Sequence, residues 1–370
     1  MIENYLYQTK KERYIMKRKY RQTISVSVHH SLALKADGSI VSWGWDSDNQ
    51  VSNTPLGSDF VAVAGGTYHS LALKADGSLV SWGYDDYGQV SNTPSDSNFV
   101  AIAGGTYHSL ALKANGSLVS WGNDIYGQVS KTPTGNDFMA ISSGLSHSLA
   151  LKEDGSLVSW GRNGECQVSN TPSGSDFIAV AGGRHHSLAL KANGSIVSWG
   201  NDRNSQVRQT PSGSDFVAIS GGFYHSLALK ADGSLVSWGS DAYGQVSDTP
   251  SGNDFVAIAG GRHHSLALKA DGSLVSWGND EDGQISKKTS DRIQIPNTNI
   301  KDIITSEKQI KQQTVGLERY FDYEVFDSEK VYRTWYKEEY QEVLKSVGLK
   351  ATKDVPTPLI LPDNRILFIY

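Results

Sequence analysis

A block of 39 residues recurs seven times along the chain, and this period limits the fold more than any other feature. His30, His69, His108, His147, His186, His225 and His264 fall at that interval, each opening the string His-Ser-Leu-Ala-Leu-Lys. Trp43, Trp82, Trp121, Trp160, Trp199, Trp238 and Trp277 keep the same step, each followed by Gly. Gln50, Gln89, Gln128, Gln167, Gln206, Gln245 and Gln284 do so too. Self-similarity at such a period is the signature of a repeat architecture.

Each unit reads as short strands. In the second, Phe60-Val61-Ala62-Val63-Ala64 is an apolar run ending at Gly65-Gly66. His69 to Lys74 alternates bulky and small side chains, and Ala75-Asp76-Gly77-Ser78 is a hairpin turn, since Asp-Gly supplies positive φ. Leu79-Val80-Ser81-Trp82 is a third strand, and Gln89-Val90-Ser91 is a candidate for a short outer fourth. The runs are too short and too glycine-punctuated for helices. Such a unit cannot bury both faces alone, but stacked radially each sheet covers its neighbour, and seven sheets close a ring. The expected fold is therefore all-β, a seven-bladed β-propeller over residues 23–290. The Ala-rich strand ending in Gly-Gly suits the crowded axis, and the tryptophans suit packing between blades.

These residues carry a family resemblance. Gly-Gly-x-x-His-Ser-Leu-Ala-Leu, Asp-Gly-Ser, Trp-Gly and Gly-Gln resemble the regulator of chromosome condensation repeat, in the short 39-residue form of bacterial members. The pattern is also similar to that of the propeller protein that inhibits β-lactamases, and differs from WD40 repeats, which carry Gly-His and Trp-Asp. The end units are atypical, as terminal repeats are. Val26-Ser27 replace the Gly-Gly of the first, and Lys288-Thr289 replace the Thr-Pro linker of the last.

Strand parity sorts the loops. The Gly-Gly-x-x-His loop follows strand one and the Trp-Gly-x-Asp loop follows strand three, so both emerge on one face; the Asp-Gly turn lies on the other. The first face varies between units. It offers Trp45, Tyr68, Tyr84, Tyr87, Tyr107, Tyr126, Arg162, Arg184, Arg203, Phe223, Tyr224, Tyr243 and Arg262, of types enriched at binding hot spots. This face is expected to bind a protein partner. The resemblance implies the same, because the β-lactamase inhibitor uses aromatic loop residues at one mouth. It also implies two alternatives: nucleotide exchange on a Ran-type GTPase with histone binding, or enzyme inhibition. The uniform spacing leaves no room for the exchange factor's wedge.

Catalysis is not expected, and neither are cofactors or metals. Seven symmetry-spread histidines suit strand ends hydrogen-bonded to backbone better than one metal site, which needs ligands converging on one ion. His29-His30, His185-His186 and His263-His264 point to opposite faces of a strand. The loops Asp46-Ser47-Asp48 and Asp280-Glu281-Asp282-Gly283 lack the full ligand set of a calcium loop. Cys166, the sole cysteine, fills a slot held elsewhere by Gly, Asn or Ser, and suits an incidental role.

Charge adds one constraint. Residues 23–290 carry 15 Lys and Arg against 24 Asp and Glu, so the ring repels phosphate backbones at long range and suits a basic partner such as histones. Residues 1–22 are basic, with Lys10-Lys11 and Lys17-Arg18-Lys19 among four tyrosines. Without an apolar leader or a span of about 20 apolar residues, a cytoplasmic monomer off the membrane is expected, or a nuclear one if the basic segment acts as an import signal. Residues 291–370 leave the repeat and read as a small α+β appendage of unassigned role. Residues 300–306 echo the axial strand, residues 333–348 have helical spacing, and Leu359-Ile360-Leu361 and Arg365 to Ile369 flank a hairpin turn.

Overall fold

The computed structural model describes residues 22–287 and 289–294, and three two-residue strands near the C-terminus. The chain divides into two compact units, residues 1–303 and 304–370. Within the first, twenty-one strands form seven separate antiparallel sheets of three, each in chain order. The seven-bladed propeller read from the period is the fold.

The second blade shows how sequence becomes sheet. Its strands are Phe60–Gly65, His69–Lys74 and Leu79–Gly83. The central strand pairs on both edges, with Ala64 opposite Leu71 on one side and Ser70 opposite Trp82 on the other. Gly77 takes a φ of 84°, the left-handed conformation that the Asp-Gly turn requires. Two-stranded pairing and radial stacking together leave His69 to Leu73 buried throughout.

Side-chain size sets the stacking. Leu71 and Leu73 project from the second blade into Phe99, Ile102, Ala111 and Trp121 of the third. The bulky face of each central strand thus meets the Ser-Ala face of the next, and the layers interdigitate at native density. The same contact joins the last blade to the first, where Leu266 and Leu268 meet Ala33 and Trp43. Two polar links repeat with it. Each ring tryptophan donates its indole N–H to the backbone oxygen of the preceding blade's glutamine, as Trp121 does to Gln89 at 3.0 Å. Trp43 reaches Gln284 at 2.9 Å and so closes the circle.

The Gly-Gly strand lies at the axis, as its small side chains suggest. A methyl group on Gly104 would sit 2.6 Å from the backbone nitrogen of Gly66 in the adjacent blade, and one on Gly182 equally close to that of Gly144. A side chain at Gly104 or Gly182 would clash with the neighbouring backbone, and only blade four, with Ser143, and blade one, with Val26, carry one in this slot. The degenerate first unit uses Val26 and Ser27 instead, and Ser27 donates its hydroxyl to the Gly66 oxygen.

Three features depart from the sequence expectations. First, Gln89-Val90-Ser91 is no fourth strand. The Asp85 carboxylate accepts the N–H groups of Val90 and Ser91, both at 2.8 Å, and curls the segment into turns. Thr93 then ties it to strand three through its hydroxyl, 2.7 Å from that of Ser81.

Second, the ring does not end at 290. The first blade's inner strand is short, Ile24–Val26. Ile293 bridges Lys35, Gln294 donates its N–H to the Leu34 oxygen at 2.8 Å, and Asp291 pairs with Lys35. In the other blades these places belong to a buried Phe and an Asp one to three residues before it. Ile293, 1% exposed, therefore fills the phenylalanine slot and clasps the last blade to the first.

Third, the helical segment at 333–348, the axial echo at 300–306 and the basic segment at 1–21 lie outside the described residues. In the second unit Leu359–Ile360 and Ile366–Leu367 pair antiparallel, as the hairpin reading requires, and Val325–Phe326 adds a third strand.

Candidate functional site: the loop face

The two variable loops of each blade emerge together, and the backbone joins them. The N–H of Tyr84 donates to the Tyr68 oxygen at 2.9 Å, and Trp45 and His29, or Asn123 and Tyr107, repeat the bond. The second loop carries its own scaffold. Asp85, and its equivalents Asp46, Asp124, Asn163, Asp202, Asp241 and Asp280, each cap two backbone N–H groups five and six residues on. Burial opposes ionisation at Asp85, yet those backbone donors hold its carboxyl below the usual range. The buried Gln89 amide oxygen accepts the Tyr87 N–H at 3.0 Å. The Asp-rich loops are thus self-capping turns that present the side chains between the caps.

Just beneath the loops lies a layer of histidines. His69 Nε2 is 2.8 Å from Ser109 Oγ of the next blade, and all seven histidines make this contact, at 2.7–3.2 Å. The expected backbone partner is therefore replaced by a serine. The His-Ser dipeptide puts both partners at adjacent positions, and radial stacking brings one blade's His against the next blade's Ser. Burial pushes each of these histidines down to about 3 or 4. They are neutral structural links between blades.

Above this layer the structure sorts the candidate residues into two groups. On blades one to three, Trp45, Tyr68, Tyr84, Tyr87 and Tyr107 form a continuous aromatic arc. Tyr68 stacks on Tyr107 with centroids 5.4 Å apart, and Tyr87 and Tyr84 lie 5.0 and 5.8 Å from Tyr107. His29 bridges Trp45 and Tyr68 and meets Asp282 at 3.2 Å. Trp45 and Tyr87 remain more than 40% exposed, so the arc is a surface and not a core.

On the opposite half, arginines join the aromatics. The Arg184 guanidinium lies 5.8 Å from the Phe223 ring and 5.1 Å from that of Tyr224, and donates to the Tyr224 hydroxyl. Tyr224 stacks on His263, which packs 4.6 Å from Tyr243. Arg162 sits 5.3 Å over Tyr126, while Arg203 reaches outward to pair with Glu165 at 3.3 Å. Blade four has Leu145 and Ser146 where blades two and three have Thr and Tyr, and its Arg162 reaches back to Tyr126 of blade three.

The partner-binding set expected from the sequence leaves out His29, His185, His263, Glu165 and Asp282. Their signal was present, because the three histidines occupy the same variable slot as Tyr68, Tyr107 and Tyr224. Near the axis the face opens on a small depression bounded by Thr67, Thr106, Leu145 and Phe223 above the paired glycines.

A seven-bladed ring of 39-residue units, linked by His–Ser and Trp–Gln bonds and varying most at one mouth, defines a class of propeller. A sequence model of the RCC1-like domain matches residues 59–368, and the chain belongs to that family. Among solved structures it is similar to the ectodomain of the Physcomitrella patens receptor kinase CR4. The identity is 22% and the TM-score 0.60, over 70% of this chain and 73% of that one. The ectodomain of the Arabidopsis thaliana receptor kinase ACR4 is 21% identical with a TM-score of 0.58, over 70% and 97%. Prp20p of Saccharomyces cerevisiae, whose structure was described with its binding to Gsp1p and histones, is 21% identical with a TM-score of 0.54, over 66% and 81%. No curated protein sequence matches significantly. At these identities the likeness is one of fold.

Proposed function

We propose that the protein is a non-catalytic interaction scaffold whose loop face holds a protein partner. The aromatic arc from Trp45 to Tyr107 carries this reading. Tyr68, Tyr84, Tyr87 and Tyr107 pack on one another above the histidine layer, Trp45 joins them through His29, and Trp45 and Tyr87 stay largely open to water. Rings of this type supply contact area at low cost in side-chain entropy, which is why Tyr and Trp dominate interface energetics. Membership of the RCC1-like family supports a protein partner in general terms, as does the binding of Prp20p to Gsp1p and histones.

The test is affinity capture with full-length protein, wild type against Tyr68→Ala, Tyr107→Ala and Tyr224→Ala together. The expected result is loss of the captured partner with an unchanged tryptophan emission and circular dichroism spectrum. An unchanged set of captured proteins on a folded ring overturns the reading. Nucleotide exchange is the alternative that the likeness to Prp20p invites. Unaltered nucleotide release from small GTPases in the presence of the protein removes it.

A further inference from the structure

The two halves of the loop face differ in charge balance. On the far side of the ring Lys35, Lys74, Lys113, Lys152, Lys191, Lys230 and Lys269 each pair with an aspartate at 2.6–3.2 Å. On the loop face Arg203 pairs with Glu165. Among the described residues, Arg162, Arg184 and Arg262 have no carboxylate within ion-pair distance.

The three stand on loops of the same face, on blades four, five and seven. Arg184 on blade five is half-buried, and its Nε is buried without a hydrogen-bond partner among the described residues. Burial, and then the charges of Arg262 and Arg162 from blades seven and four, hold its guanidinium below the ordinary arginine range. The repulsion is not relieved by swinging Arg184 into solvent, because the Tyr224 hydroxyl and the Phe223 and Tyr224 rings hold it in place. Arg162 is held likewise over Tyr126. His185 and His263 also sit in this half and are pushed down to about 4, each by burial first and a neighbouring arginine second. They add no positive charge near neutral pH, so the unbalanced charge is that of the arginines. A preorganised, under-neutralised guanidinium cluster favours an anion that accepts paired N–H bonds.

We propose that Arg162, Arg184 and Arg262 receive carboxylate groups of an acidic segment of the bound protein. The inference rests on the scaffold reading and names the chemistry of what docks. A carboxylate on a polypeptide fits better than a nucleic acid for two reasons. The ring as a whole is anionic, so a long polyanion is repelled along its length, whereas a short run of Asp or Glu on an otherwise basic or neutral partner is repelled less and meets chiefly the local arginines. The site also adjoins Phe223, Tyr224 and Tyr243, which offer apolar contact to the side chains flanking such a run.

The experiment uses the full-length protein and a rhodamine-labelled peptide, Leu-Asp-Glu-Leu-Asp-Glu-Leu, against its Asn/Gln counterpart, by fluorescence anisotropy. The acidic peptide is expected to bind about tenfold more tightly than the amide form. Arg184→Gln and, separately, Arg262→Gln should abolish most of that preference, while Lys230→Gln on the far face leaves it intact. Excess inorganic phosphate should not displace the peptide. Equal binding of the two peptides, a preference that survives in both arginine variants, or displacement by phosphate each overturns the proposal. Arg262→Gln keeps the test decisive if the half-buried Arg184 is needed for folding. Partner capture lost in the triple tyrosine variant but retained in both arginine variants sinks the carboxylate site and leaves the scaffold reading standing.

Discussion

The two faces of the ring are made by the same seven units, yet they are chemically opposite. On the Asp-Gly face each blade satisfies itself. Asp76 accepts both the backbone N–H and the hydroxyl of Ser78, Lys74 pairs with Asp59, and its ammonium lies 5.6 Å over the Phe60 ring. Near-identical sets recur around the ring among the described residues. On the loop face the backbone is equally satisfied by its Asp and Gln caps, but the side chains between the caps differ in every blade. Rings stack on rings from other blades, and among the described residues three arginines have no carboxylate at ion-pair distance. The scaffold reading proposed above places the partner on the face where the symmetry is broken.

Between the faces lies the shared layer, and the largest expected effect falls there. All seven ring histidines have folded-state pKa values of about 3 to 4, below the unfolded value near 6.5. A depressed folded pKa means that stability is complete above pH ~6.5 and declines as pH falls toward the folded values. At pH ~5 each histidine gives up about 2 kcal/mol, so the ring histidines together match the roughly 5–15 kcal/mol that holds a domain folded. The ring is expected to unfold cooperatively between about pH 6 and 4, followed by tryptophan emission. A ring that keeps its denaturant midpoint at pH ~4 contradicts the buried neutral layer.

Trp121→Ala removes an indole that is 5% exposed and breaks the bond to Gln89, and should lower stability by about 3–5 kcal/mol in urea unfolding. Ile293→Ala tests the clasp between last and first blades, with an expected loss of about 2–4 kcal/mol. A loss below about 0.5 kcal/mol would mean that the segment merely rests on the ring. Lys113→Met on the far face deletes an exposed pair with Asp96 and should change stability by less than about 1 kcal/mol. Partner capture should be unaltered by that change, which sharpens the contrast with the loop face.

The smallest effect concerns Cys166. It holds a φ of 59° at the turn position where Gly88, Gly127, Gly244 and Gly283 stand in other blades. Cys166→Gly should raise the urea midpoint slightly, by about 0.5–1 kcal/mol of relieved strain. A lowered midpoint would show that the cysteine side chain holds the loop.

The sequence alone determined the blade count, the axial place of Gly-Gly, the inter-blade role of tryptophan and the parity that gathers both variable loops on one face. Each follows from a short-range pattern repeated in register, so reading one unit reads them all. Tertiary structure decided what passes between units. The histidine finds a serine 40 residues away rather than backbone, because the partner is set by how one sheet stacks on the next. Ile293 stands in for a phenylalanine because ring closure places the end of the chain beside its beginning, a meeting that no local pattern encodes. The supposed fourth strand is a turn because one aspartate captures two N–H groups that a ladder would have needed. The split of the loop face into an aromatic arc and an unneutralised arginine cluster arises the same way. Tyr68 and Tyr107, or Arg184 and Tyr224, are a repeat apart in the chain and become neighbours only when the blades pack side by side.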